Sequence, residues 1–171
     1  MKKITFILFA LIAGTTFAQN EAVATASAGA EIIEPITITP NSFLNFGRII
    51  GTSAGGTVNV DKEGDRTSLA TGILDPSTAG TAAISAAKFT ITAAKDYSYN
   101  IAIPTSVTII AGTENMVVTL LPFYDGNALS GASPKGTDDD EILTIGGDLA
   151  VGSSQAQGAY TAEFDVTVTY E

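Results

Sequence analysis

Between Thr161 and Tyr170 apolar and polar residues alternate without a break, with Ala162, Phe164, Val166, Val168 and Tyr170 set against Thr161, Glu163, Asp165, Thr167 and Thr169. A period of two puts the first set on one face of a strand and the second on the other, whereas a helix would scatter the same residues around its axis. The β-branched content favours a pleated surface. The segment is therefore expected to be the core strand of an all-β domain, held on its inward face by Phe164, Val166 and Val168. A long exposed edge with this face would invite uncontrolled association, so the strand is expected to be central, with neighbours on both sides.

The same pattern recurs in shorter pieces upstream. Ile36 and Ile38 share a face, and Pro35 beside them fits an edge strand or a kink; Pro40-Asn41 then reads as a turn. Leu44 with Phe46, and Val58 with Val60, mark two more short strands. Asp61 to Arg66 is a charged turn, followed by a strand through Leu69, Thr71 and Ile73 that Asp75-Pro76 stops. The alanine-rich connection from Ser77 to Ala87 has room for one helical turn. Phe89, Ile91 and Ala93 face one way, as do Tyr97, Tyr99, Ile101 and Ile103, and Lys95-Asp96 between them predicts a tight hairpin. Val107 to Ile110, Met116 to Tyr124 and Ile142 to Val151 complete the set, with turns at Gly112-Thr113 and Asp125-Gly126 and a loop over Ser130 to Glu141. Eight to ten short strands at this spacing predict an immunoglobulin-like Greek-key β-sandwich.

Composition fixes the address. Met1-Lys2-Lys3, the apolar run from Ile4 to Ile12 and Thr16-Phe17-Ala18 have the order of a secretory signal, with cleavage expected after Ala18. The run is shorter than the roughly 20 residues that span a bilayer. Cleavage leaves 153 of the 171 residues, enough for a single domain over 19–171 with its own core. Lys2 and Lys3 leave with the signal, so six cations face eighteen acids, a formal charge of −12. That charge repels phosphate backbones and anionic lipid surfaces, which argues against nucleic acid and membrane headgroups as partners. The expected location is the periplasm, the medium or the cell surface of a Gram-negative-type bacterium.

Chemistry has little to work with. The chain contains no His and no Cys, which removes Ser-His-Asp and Cys-His catalysis, thiolates and the usual zinc ligand sets. Ser85-Ala86-Ala87-Lys88 has the S-x-x-K spacing, but on a strand residues three apart point to opposite faces. Asp61, Glu63 and Asp65 alternate, yet the glycine falls at the fourth position and the EF-hand loop pattern fails. Asp138, Asp139, Asp140 and Glu141 are the densest acidic run and the candidate calcium ligands, against the alternative of a solvated loop tip. No tryptophan offers a sugar platform, although Tyr97, Tyr99 and Tyr124 could serve more weakly. Tyr160, just before the terminal strand, is expected to hydrogen-bond back to nearby backbone.

Taken in order, Glu34-Pro35-Ile36-Thr37-Ile38-Thr39, Leu44-Asn45-Phe46-Gly47, Tyr99 to Pro104, Gly146-Gly147-Asp148-Leu149 and Gly158 to Tyr170 resemble a secreted bacterial family known only as domain of unknown function 4402. The resemblance covers almost all of the mature chain. More loosely, the order is similar to the spore coat protein U domain of archaic chaperone-usher pilins, which share an N-terminal strand, a Phe-Gly step and a C-terminal Gly-x-Tyr strand. This likeness implies an incomplete sandwich whose missing strand comes from the N-terminal segment of a neighbouring subunit. The corresponding donor here is Asn20 to Ala30, with Ala22, Ala24, Ala26 and Ala28 on one face, and the acceptor strand carries Phe164, Val166 and Val168. Each methyl-sized group buried contributes under about 1 kcal/mol, so an alanine donor binds less tightly than one with large apolar side chains.

The function expected is that of a non-enzymatic structural or adhesive surface protein, a pilus- or coat-like subunit pairing with copies of itself by β-augmentation. The competing expectation is a self-contained module that binds carbohydrate or calcium.

Overall fold

The computed structural model describes residues 22–69, 73–74, 83–129 and 133–171. The expected signal and most of the Ser77–Ala87 connection lie outside these. A compact body runs from Ile33 to Glu171. Residues 22–32 belong to a separate unit, carry no strand and are exposed throughout.

The body is an all-β sandwich, and no helix occurs among the described residues. Its strands are β1 (Thr37–Ser42), β2 (Ile50–Gly51), β3 (Gly56–Val60), β4 (Arg66–Leu69), β5 (Ile73–Leu74), β6 (Ala87–Thr92), β7 (Tyr99–Ala102), β8 (Ser106–Ala111), β9 (Glu114–Tyr124), β10 (Asn127–Ala128), β11 (Glu141–Val151) and β12 (Thr167–Tyr170). The long β11 is the organising strand. One of its edges pairs with β9; the other pairs first with β6 and then with β3. β1 extends the sheet beyond β6, β4 beyond β3, and β8 beyond β9. β7 and β12 form a separate two-stranded sheet. Leu143, Ile145 and Leu149 of β11 meet Val58, Val60, Ile91, Tyr99 and Val118 in the core.

Local sequence explains most of these elements. Val58 and Val60 alternate with Thr57 and Asn59, and both valines are fully buried. After β3, the Asp61 carboxylate accepts from the amides of Gly64 and Asp65 at 3.0 and 2.9 Å, and Gly64 takes a φ of 92° that side chains avoid. Gly112 turns β8 into β9, and Asp125-Gly126, both with positive φ, turn β9 into β10.

Three expectations are corrected. Pro40-Asn41 is not a turn: it lies inside β1, where the register slips between Pro40 and Ser42. A bulge on an edge strand accommodates a residue without an N–H, so proline interrupts the ladder without ending it. Lys95-Asp96 does turn, with Asp96 at a φ of 65°, but it makes no hairpin, because β6 pairs with β1 and β11 while β7 pairs with β12. Residues 134–136 occupy the position a hairpin partner would take: Asp96 and Tyr99 donate to the carbonyls of Gly136 and Pro134, and Gly136 donates to Tyr97.

The third correction concerns the terminal segment. Its ladder covers only Thr167–Tyr170, against Tyr99–Ala102, with one further bridge from Thr161 to Ile110. Between these points seven residues of the partner, 103–109, face five of the terminal segment, 162–166, so the ladder cannot run through. Pairing is on one side alone among the described residues, and Phe164, Val166 and Val168 are half-buried against the core. Alternation reports which face is buried; it carries no information on which edge is paired.

Candidate functional site

The unpaired edge of the terminal segment has a defined direction. Thr161 exchanges both backbone bonds with Ile110, at 3.0 and 3.2 Å, so its N–H and C=O point toward β8. In an extended chain the next residue points its groups the other way, which turns the backbone of Ala162, and of Phe164 after it, toward the open side. Opposite stands residues 44–51. Asn45 exchanges bonds with Ser85 at 2.8 and 3.0 Å, so the backbone of Leu44 faces away from that partner, while Ile50–Gly51 at the far end of this wall pairs with β5.

Between these two edges lies a groove of about 920 Å³. Residues 44–51 form one wall, and residues 155–162 with Phe164 form the other. The floor is apolar, made of Val107, Ile109, Met116, Val118, Leu149 and Val151. Val107, Ile109 and Met116 are only half-buried, so the body leaves part of its own core surface uncovered there.

Each wall is held by a side chain that reaches back to the backbone. Arg66 Nη1 donates to the carbonyl of Arg48 at 2.8 Å and lies 3.5 Å from that of Phe46, while Asn45 Oδ1 accepts from the Gly47 amide at 2.8 Å. Gly47 sits at a φ of 72°, so the Leu44-Asn45-Phe46-Gly47 motif bends the first wall outward while keeping Phe46 in the core. On the other wall Tyr160 donates to the Ala156 carbonyl at 2.8 Å and accepts from Gln155 Nε2 at 2.9 Å, the backbone-binding role expected of it. Sequence reasoning missed Arg66 and Gln155. Neither falls in a pattern, since Arg66 reaches carbonyls distant in sequence and Gln155 reaches the Tyr160 hydroxyl and the Asn115 carbonyl from a loop.

The acidic run does not converge. Asp138 Oδ1 accepts from the Lys95 amide at 2.7 Å, Asp140 Oδ1 from Thr92 at 3.0 Å, and Glu141 turns inward to Tyr99. Consecutive residues on a turn entering a strand splay apart, and each of these three carboxylates finds its own donor. Among the described residues no group of three or more acids is placed to hold a metal ion, at Asp138, Asp139, Asp140 and Glu141 or elsewhere.

Tyr99 is fully buried, with its hydroxyl 2.7 Å from Glu141 Oε2 and 3.1 Å from the Tyr124 hydroxyl. Donating its one proton to the carboxylate, it accepts from Tyr124. Burial, and then the bonds to Tyr124 and Glu141, raise the Tyr99 phenol far above its ordinary range. Burial first, and then Glu141, push Tyr124 up to about 12. Both phenols stay protonated at any physiological pH, so this cluster is a satisfied polar plug at one end of the core rather than an acid–base pair. Tyr99 is thereby withdrawn from the surface role considered for it.

A family model described as Domain of unknown function (DUF4402) matches residues 36–170, a span that contains both walls and the floor of the groove. No curated protein matches the chain.

Proposed function

Because the chain belongs to the family described as Domain of unknown function (DUF4402), whose description names no activity, we propose its function from its own geometry: it is an exported, non-enzymatic structural subunit whose groove receives an extended segment from a second copy. The observation that carries this reading is an apolar groove between two chain segments that are bonded on their outer sides through Asn45 and Thr161, which turns the backbone of Leu44 and Ala162 toward the groove. An extended segment laid there would hydrogen-bond to both edges and press alternate side chains onto the floor, which is β-augmentation.

The donor is residues 22–32 of another copy. These are exposed and without strand pairing, and they include Val23 and Ile32 at 84% and 96% exposure. Eleven residues extend to about 36 Å, matching the roughly 33 Å of the ten-residue terminal segment they would lie against. The alternation of Ala22, Ala24, Ala26 and Ala28 supplies one apolar face. The basic, apolar and small-residue order at the start of the chain supports export, and the absence of His and Cys supports a role without catalysis.

Met116 gives the direct test. It lies on the groove floor and is half-buried in the free body, so the body tolerates a polar group there better than a docked strand would. Met116→Asp should fold, yet weaken assembly at least about tenfold, because docking would bury an unpaired charge. Met116→Leu should assemble as the wild type does. Light scattering coupled to size exclusion reads both, and a folded Met116→Asp protein that assembles normally would refute the reading.

A further inference from the structure

A tie lies beyond one end of the groove. The Tyr170 hydroxyl accepts from the Ala94 amide at 2.7 Å and donates to the Glu34 carbonyl at 3.1 Å. One side chain thus joins the end of the terminal segment, the connection after β6, and the backbone just before β1. β1 and the wall that follows it run antiparallel to the terminal segment, with Glu34 at Tyr170 and residues 44–51 across from residues 155–164. Beyond one end of the groove Tyr170 holds Glu34, and at the other the Ser154 amide donates to the Thr52 carbonyl at 2.9 Å, so the two walls are tied at both ends.

We propose that this tie makes Tyr170 a specificity-determining residue: it keeps the chain's own N-terminal segment out of its own groove and so directs strand exchange to a second copy. The inference rests on the reading of the groove as a strand acceptor. For residues 22–32 to fill the groove of their own chain, the backbone would have to reverse before Ile36, because Thr37 is already paired with Thr92. The bond from Tyr170 fixes Glu34 in the middle of that reversal. Pro35 then bars Glu34 from the helical backbone region that a tight turn at Ile33-Glu34 needs. Closure within one chain must break the first constraint and strain the second. A segment from another chain, laid into the groove from its solvent face, meets neither.

Tyr170→Phe removes only the hydroxyl. The ring keeps its edge contact with Tyr97, at 6.1 Å between centroids. In the full mature chain this variant should raise the ratio of closed monomer to assembled chains about fivefold, the change that follows from one neutral hydrogen bond of about 1 kcal/mol. Hydrogen exchange should show residues 22–32 protected in its monomer peak. Pro35→Ala, which frees Glu34 without touching the core, should shift the ratio the same way and keeps the test open if Tyr170→Phe folds poorly. A mature chain lacking residues 20–30 but carrying Tyr170→Phe should bind a synthetic peptide of residues 20–33 as tightly as the same truncation with Tyr170 intact. An unchanged monomer share in both full-length variants, or monomers with residues 22–32 unprotected, would overturn the proposal. If deleting residues 20–30 abolishes assembly while these variants behave as wild type, the tie alone is wrong; if that deletion leaves assembly intact, the groove reading fails first.

Discussion

Deletion of residues 20–30 should leave a folded body that no longer assembles. Among the described residues, every core residue lies in the body from Ile33 to Glu171 and none in the deleted stretch. Its melting transition should therefore stay within a few degrees of the intact protein's monomer. Assembly should disappear, because the groove would lose the segment that covers Val107, Ile109 and Met116. Alanine donors contribute little per residue, under about 1 kcal/mol for each methyl, so much of the stabilisation would come from the backbone ladder formed with two edges at once. Assemblies held this way should be concentration-dependent and should dissociate on dilution more readily than those of a donor with large side chains. Sedimentation velocity across a dilution series measures both effects. A truncated protein that still assembles would show that residues 20–30 are only a lead-in.

Gly146→Ala should cost a large part of the chain's stability. Gly146 lies on β11 where the partner changes from β6 to β3, and a Cβ there would run into the carbonyl of Val60 and lie 3.2 Å from the backbone of Asp61. Both obstacles are backbone, held by the β3 ladder and by the turn that Asp61 caps, so neither can swing aside. Overpacking of this kind costs about 3 kcal/mol, and a shift of β3 would carry Val58 and Val60 with it. Gly147 is less severe, since its Cβ would meet the Thr119 carbonyl and two side chains at 3.1 to 3.2 Å. Chemical denaturation of the two variants should rank them in that order. Equal midpoints for Gly146→Ala and wild type would mean that the strand switch on β11 is looser than described.

This glycine pair illustrates how far the residues alone carry. Gly146-Gly147-Asp148-Leu149 was visible as a motif, and Ile142 to Val151 as a strand, because side-chain periodicity and strand length are local properties. That two different strands share one edge of β11, and that Gly146 marks the change, depends on contacts across 50 to 95 residues of sequence. The same limit explains Lys95-Asp96. The turn itself was legible, but the partner that displaced the hairpin, residues 134–136, lay in a loop without periodicity. Phe164, Val166 and Val168 were assigned to the buried face, where they are half-buried, while the one-sided pairing of their strand left no trace in the pattern. The acidic run misled for a related reason: adjacency in sequence is not convergence in space, and three of its four carboxylates have separate hydrogen-bond donors.

The central claim is that an N-terminal segment of one copy lies beside the terminal strand of another. The chain has no cysteine, so an engineered pair reports on that contact alone. Neighbouring strands lie about 4.8 Å apart, inside the range of Cα separations that a disulfide spans. Ala162→Cys, on the groove wall, is mixed with each of Ala22→Cys, Ala24→Cys, Ala26→Cys and Ala28→Cys in turn, unfolded and refolded together, and oxidised. At least one of the four donors should form a disulfide-linked pair of unlike chains, identified by mass spectrometry of the joined peptides. If the chains co-assemble and none of the four positions links to Ala162→Cys, the donor does not occupy the groove and the account is contradicted.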